Sequence, residues 1–98
     1  MQVEWLPGAI RDLQRLREFL RPKNPGVAIS AANKMIKAAS SLKDYPGVGK
    51  PVEDLPGYYD VVMKFGFRNY VMRYHILEDM IFIVALRHGR EAGFVDEE

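Results

Sequence analysis

The sequence predicts an α+β domain in which a short N-terminal strand and an antiparallel two-helix hairpin precede a mainly antiparallel sheet, in the order β-α-α-β-β-β. Three observations predict it. Apolar residues recur at the helical period twice in the first half of the chain. Alternating strand patterns rich in Val, Ile, Tyr and Phe fill the second half, joined by links short enough for hairpins. At 98 residues with 48% apolar and 28% charged side chains, the chain holds one core and one domain, 1–98, and is neither disordered nor membrane-spanning.

Val3, Glu4 and Trp5 read as the opening strand, and Pro7, whose φ suits the first turn of a helix, closes it. Ala9, Leu13, Leu16 and Leu20 then share one helical face, widened by Ile10 and Phe19, which directs Arg11, Arg15 and Glu18 outward. The breakers Arg21-Pro22-Lys23-Asn24-Pro25-Gly26 end this helix, and Asn24 before Pro25 is an N-cap with proline at the first helical position. The second helix has a stripe of Ala28, Ala31 or Ala32, Met35, Ala39 and Leu42, small enough to lie close against the first. Residues 43–57 carry three prolines and three glycines, a density that predicts a long loop without regular structure. Strands follow at 58–65, 70–77 and 80–87, with Gly66-Phe67-Arg68-Asn69 and Glu78-Asp79 as the links. In the middle strand Tyr70, Met72, Tyr74 and Ile76 form the face toward the helices, and Val71, Arg73, His75 and Leu77 the opposite one. Residues 91–98 lose all pattern and end on Asp96-Glu97-Glu98, the signature of a loose acidic tail.

Charge is more informative split than summed. The net charge of +1 divides into nine Lys/Arg against four Asp/Glu in residues 1–50 (+5) and five against nine in residues 51–98 (−4). The mild total argues against wholesale nucleic-acid binding, and the basic half fits an acidic partner. No apolar run approaches the roughly 20 residues that cross a bilayer. With no cysteine and a start that runs from Met1 to a charge at Glu4 and a turn at Pro7-Gly8, the sequence reads as cytoplasmic, without disulfides, thiolate metal sites or a secretory leader.

The motifs weigh unequally. Val48-Gly49-Lys50 fails as a phosphate-binding loop, because the first glycine would fall on Asp44 and Pro51 stands where Ser or Thr is needed. His75 and His88 are the only imidazoles, with no spacing that gathers further ligands, so no metal and no cofactor is expected. Glu53-Asp54 reads as a solvated pair in the loop. Arg87-His88-Gly89-Arg90 gathers two guanidinium groups and an imidazole where the last strand ends, although alternation puts Arg87 and His88 on opposite faces. RNA cleavage through the 2′-hydroxyl needs a base, an acid and cations for the developing charge. Lys64, Arg68, Arg73, His75, Arg87 and His88 have the chemistry for those roles if they meet on one sheet face.

Taken together in order and spacing, these segments resemble the RelE/ParE family of bacterial type II toxins, in its ParE (plasmid stabilisation) branch. Val3-Glu4-Trp5 with Ala9 and Asp12-Leu13 is similar to the family's opening strand and first helix, and Asn24-Pro25 with Ala28 to the start of its second. Leu42, Pro46 and Gly49 match the exit into the loop. Asn69-Tyr70-Val71-Met72-Arg73-Tyr74-His75-Ile76 resembles the core strand, and Ile83-Val84-Ala85-Leu86-Arg87-His88-Gly89-Arg90 the closing one. Leu6 stands where the family often has a polar cap. The resemblance implies a toxin neutralised by a cognate protein antitoxin, which lays an amphipathic helix along the helix hairpin; Arg11, Arg15, Lys34 and Lys37 are the antitoxin-binding candidates. ParE-like members poison DNA gyrase by binding, without bond-making chemistry of their own, whereas RelE-like members cut mRNA on the ribosome. The loop before the sheet has only Lys43 and Lys50, and the second half is net acidic, which favours the gyrase inhibitor. Its target-binding candidates are Arg68, Arg73, Arg87, His88 and Arg90. In the alternative, a ribosome-dependent mRNA interferase (an endoribonuclease), Arg68, Arg73 and His88 carry the catalysis.

Overall fold

The computed structural model describes residues 1–91, 93 and 94. The elements are β1 (Gln2–Trp5), α1 (Pro7–Leu20), α2 (Pro25–Ser41), β2 (Lys50–Pro51), β3 (Tyr58–Phe65), β4 (Arg68–Leu77) and β5 (Met80–His88). They build one sheet of order β1-β5-β4-β3-β2, antiparallel except where β1 runs parallel to β5. The expected α+β order is therefore what the chain forms, with one addition. The two-residue β2 lies inside the stretch read as irregular, where Lys50 and Pro51 pair with Asp60 and Tyr59. Pro51 is tolerated there because β2 is the edge strand.

The helix caps follow their residues. Asn24 Oδ1 accepts the Val27 N–H at 3.2 Å, as its place before Pro25 predicts. Leu6, which has no polar side chain, caps α1 without a side-chain hydrogen bond. The β3–β4 link is shorter than expected: Gly66, at φ +61°, turns the chain with Phe67 alone, so Arg68 and Asn69 already pair with Phe65 and Lys64. Strand β4 registers Tyr74 opposite Ile83 but Arg73 opposite Ala85, leaving Val84 as a bulge.

Ala28, Ala31, Ala32, Met35, Ala39 and Leu42 of the second helix stripe are all buried, and meet Leu16, Leu20, Tyr70, Met72, Tyr74, Ile81, Ile83 and Leu86 in the core. The first stripe is narrower than expected, since Ile10 and Phe19 remain exposed. In its place stands Asp12, the one buried charged residue among those described. The reason lies in the sheet. β1 pairs with β5 only as far as Ile83, and beyond that the outer edge of β5 has no neighbouring strand among the described residues. Asp12 Oδ2 there accepts the Leu86 N–H at 2.9 Å, which satisfies an amide that burial would otherwise leave unpaired.

The long loop is fastened at one point. The Tyr74 hydroxyl donates to the Pro46 carbonyl at 2.7 Å and accepts the Gly49 N–H at 2.9 Å. Gly49 is obligatory for close approach, because a Cβ there would stand 2.7 Å from that hydroxyl.

Asp12→Ala removes the only side-chain acceptor of a buried amide and is expected to cost about 2–3 kcal/mol, read from urea denaturation. Burial raises the Tyr74 pKa above 10.0, partly offset by the Gly49 N–H that favours the ionised form. A raised folded-state pKa contributes stability that is fully present below pH 10 and is lost as pH rises through the folded value. The melting temperature is therefore expected to fall steeply above about pH 10, and Tyr74→Phe to flatten that fall while lowering stability at neutral pH.

Candidate functional site: a two-sided sheet and its helix-side cleft

The sheet presents two different chemistries. On the face away from the helices, Arg73 holds Asp60 through Nε at 2.8 Å and Nη2 at 3.0 Å, in the bidentate geometry that suits a guanidinium and a carboxylate. That hydrogen bond is the main reason the Arg73 pKa rises. His75, one pleat along, stacks on Tyr58 with ring centroids 4.1 Å apart and planes 3° from parallel. Phe94 lies against both Arg73 and Arg87, with the guanidinium carbons 4.5 Å and 5.2 Å from its ring centroid. Arg87 also leans on the carbonyls of His88, Gly89 and Glu91 at 3.4–3.5 Å.

On the helix side, a cleft of about 600 Å³ opens between the C-terminal half of α1, the β3–β4 turn and the end of β5. Phe19, Phe67 and Tyr70 supply its rings, and Arg15, Arg68, His88, Arg90 and Glu91 its polar groups. Glu91 organises one wall. Its carboxylate takes the Arg15 Nη1 at 3.1 Å and 3.2 Å and the His88 N–H at 2.8 Å, so it caps the free edge of β5 one pleat beyond the amide that Asp12 serves. Arg15 in turn reaches Asp12 at 3.5 Å. His88 Nδ1 accepts the Arg90 N–H at 3.0 Å, and the ring meets Tyr70 edge-on at 5.3 Å. Burial raises the Tyr70 pKa, with nearby Arg68 pulling the other way.

The five target-binding candidates thus divide. Arg68, His88 and Arg90 line the cleft, while Arg73 and Arg87 sit across the sheet. Nor do the two imidazoles meet, since His75 shares the face of Arg73 and His88 that of Tyr70. Of the antitoxin-binding candidates, Arg11, Lys34 and Lys37 are exposed on the helices, with the Lys34 ammonium 6.0 Å from the Phe65 ring. Arg15, expected to point outward, is folded down into the cleft by Glu91. Within the expected loose tail, Glu91 and Phe94 both have partners, and Asp96-Glu97-Glu98 lies outside the described residues. The sequence reading missed Asp12, Phe19, Phe67, Tyr70 and Glu91 as parts of this region. One signal was present: Asp12 sits at the helical spacing of Ala9 and Leu16, on the apolar stripe itself. Among the described residues no His, Asp or Glu cluster could hold a metal ion, and no helix is long and apolar enough to cross a membrane.

Residues 3–93 match the family model described as the ParE toxin of the type II toxin–antitoxin system parDE. The chain belongs to this toxin family. Among curated relatives it is 31% identical to "Toxin RelE2" of Caulobacter vibrioides over 90% of this chain and 94% of that one. It is 29% identical to "Toxin RelE3" of the same organism, over 91% and 95%. A solved structure, the "Chromosomal ParDE TA system from P. aeruginosa", shares the fold at a TM-score of 0.74 and 19% identity, covering 90% of this chain and 95% of that one. The protein is thus a type II toxin of the ParE/RelE family, a class whose members pair with a protein antitoxin.

Glu91→Gln leaves Arg15 with only the longer contact to Asp12 and weakens the cap on His88. Because both side chains are partly exposed, the expected loss is about 1 kcal/mol in urea denaturation, with faster amide exchange at His88 as its local sign.

Proposed function

We propose that this toxin acts by binding DNA gyrase and holding it in its DNA-cleaved state, and that a cognate antitoxin covers Arg11, Lys34 and Lys37 on the helix hairpin to neutralise it. The observation that carries this reading is the division of the cationic and imidazole side chains between two faces of the sheet. RNA cleavage by the 2′-hydroxyl requires a base, an acid and a cation around one phosphate. Here the candidate groups do not all meet: Arg73 is bound to Asp60 and His75 is stacked on Tyr58 on one face, and the single imidazole that shares the other face with Arg68 and Arg90, His88, already accepts the Arg90 N–H at Nδ1. Binding makes no such demand. A poison needs a rigid surface with cations and apolar side chains available to a partner, which the cleft and its rim supply.

The charge of that surface also departs from the sum over the chain's second half. Asp60 and Glu91 are engaged by Arg73 and Arg15, whereas Arg68 and Arg90 have no ion pair among the described residues. The basic character that a partner meets is therefore local.

The test is a supercoiling assay with purified gyrase, scored for lost supercoiling and for trapped cleaved DNA. The wild-type toxin is expected to produce both, Arg68→Glu with Arg90→Glu to weaken inhibition at least tenfold, and Arg73→Glu with Arg87→Glu to weaken it less. Folded toxin that leaves gyrase untouched while cutting transcripts on the ribosome would overturn the reading in favour of the interferase.

A further inference from the structure

The helix-side cleft has features that a flat protein contact does not require. Phe67 is 104% exposed at the tip of a two-residue turn, held there by the positive φ of Gly66. Phe19, on the same cleft, is 62% exposed and carries the Lys23 ammonium 3.7 Å above its ring. Both rings thus expose apolar area to solvent, and one face of Phe19 is taken by Lys23. Two polar atoms of lining residues are buried without a hydrogen-bond partner among the described residues, the Tyr70 hydroxyl and Arg15 Nε. Tyr70 as a whole is only 2% exposed. Each of these atoms is a donor, so this wall of the cleft carries an uncompensated polar cost.

From these features we infer that the cleft takes one unstacked nucleotide of single-stranded DNA, its base against Phe67 and its phosphate on Arg68 and Arg90. A nucleotide matches the exposed ring and the two guanidinium groups. Its π-face stacks on an aromatic ring whatever the base, and its phosphate is the bidentate partner that an unpaired guanidinium recognises. The volume of about 600 Å³ suits a ligand of that size and excludes a duplex. Among the described residues the one carboxylate lining the cleft, Glu91, is paired with Arg15, which reduces its repulsion of a phosphate. With a net charge of +1 the site is a local one, dependent on a strand already freed from its stack. The inference rests on the gyrase reading for its source of such a strand, because an enzyme trapped with cut DNA presents broken ends at high local concentration.

The toxin alone is the test object, with fluorescein-labelled dT4 and a blunt duplex as probes, followed by anisotropy at low and moderate salt. Wild-type toxin is expected to prefer dT4. Phe67→Ala is expected to weaken that binding by about tenfold, the usual scale for losing one stacked base, and Arg68→Glu with Arg90→Glu to weaken it and flatten its salt dependence. Phe67 is fully exposed, so its substitution leaves folding intact, which circular dichroism checks. Binding of dT4 that Phe67→Ala leaves unchanged overturns the proposal, as does no binding of dT4 at low salt. A short acidic peptide with leucine and tryptophan that binds in a Phe67-dependent way while dT4 does not also overturns it, and marks the cleft as a protein-docking surface. Because gyrase is absent from the assay, Phe67-dependent dT4 binding by a toxin that leaves supercoiling unaffected supports the cleft and removes the gyrase reading alone.

Discussion

The carboxylate of Asp12 on the Leu86 amide is the constraint from which the rest of the molecule follows. A parallel β1 only four residues long cannot cover the nine-residue β5, so the outer edge of β5 beyond Ile83 is left with amides to satisfy. Burying that edge under α1 is favourable only if α1 brings an acceptor, and Asp12 is the acceptor. The bond fixes how α1 sits over the sheet: its apolar stripe of Ala9, Leu16 and Leu20 packs inward and its C-terminal half stands over the end of β5. Arg15, one turn along, then meets Glu91 returning from β5, and that pair closes one wall of the cleft.

The same geometry explains why the functional surface is divided. In a sheet, neighbours in sequence point to opposite faces, so Arg87 and His88 part company although they are adjacent, and Arg73 and Tyr70 do likewise along β4. On the open face the charges are largely spent on one another, Arg73 on Asp60, with Phe94 laid across both arginines. On the helix side Arg68 and Arg90 have no ion pair among the described residues, and they stand beside the exposed ring of Phe67. A mechanism that requires many groups around one bond is poorly served by this division, and one that requires a rigid contact surface is well served.

Most of the architecture was legible in the sequence because local rules agree there. The Asn24-Pro25 cap, the alanine stripe of α2 and the alternation in β4 and β5 each specify an element without reference to the rest of the chain. What was not legible depends on distant partners. Lys50–Pro51 is a strand only because β3 lies beside it, and Arg15 turns inward only because Glu91, 76 residues later, arrives at the same place. The cleft was illegible for that reason too: its cations come from both halves of the chain, so a charge sum by halves averages them away. Asp12 was readable in principle, since a carboxylate on an apolar helical stripe calls for a buried partner.

Native-state hydrogen exchange at Leu86 in the wild-type toxin and in Asp12→Asn tests the central constraint most directly. If the Asp12 carboxylate fastens α1 to the edge of β5, the Leu86 amide exchanges only through global unfolding in the wild type, and the substitution opens it through a local route of markedly lower free energy. A Leu86 amide that exchanges rapidly in the wild type, or that Asp12→Asn leaves as protected as before, would contradict the account.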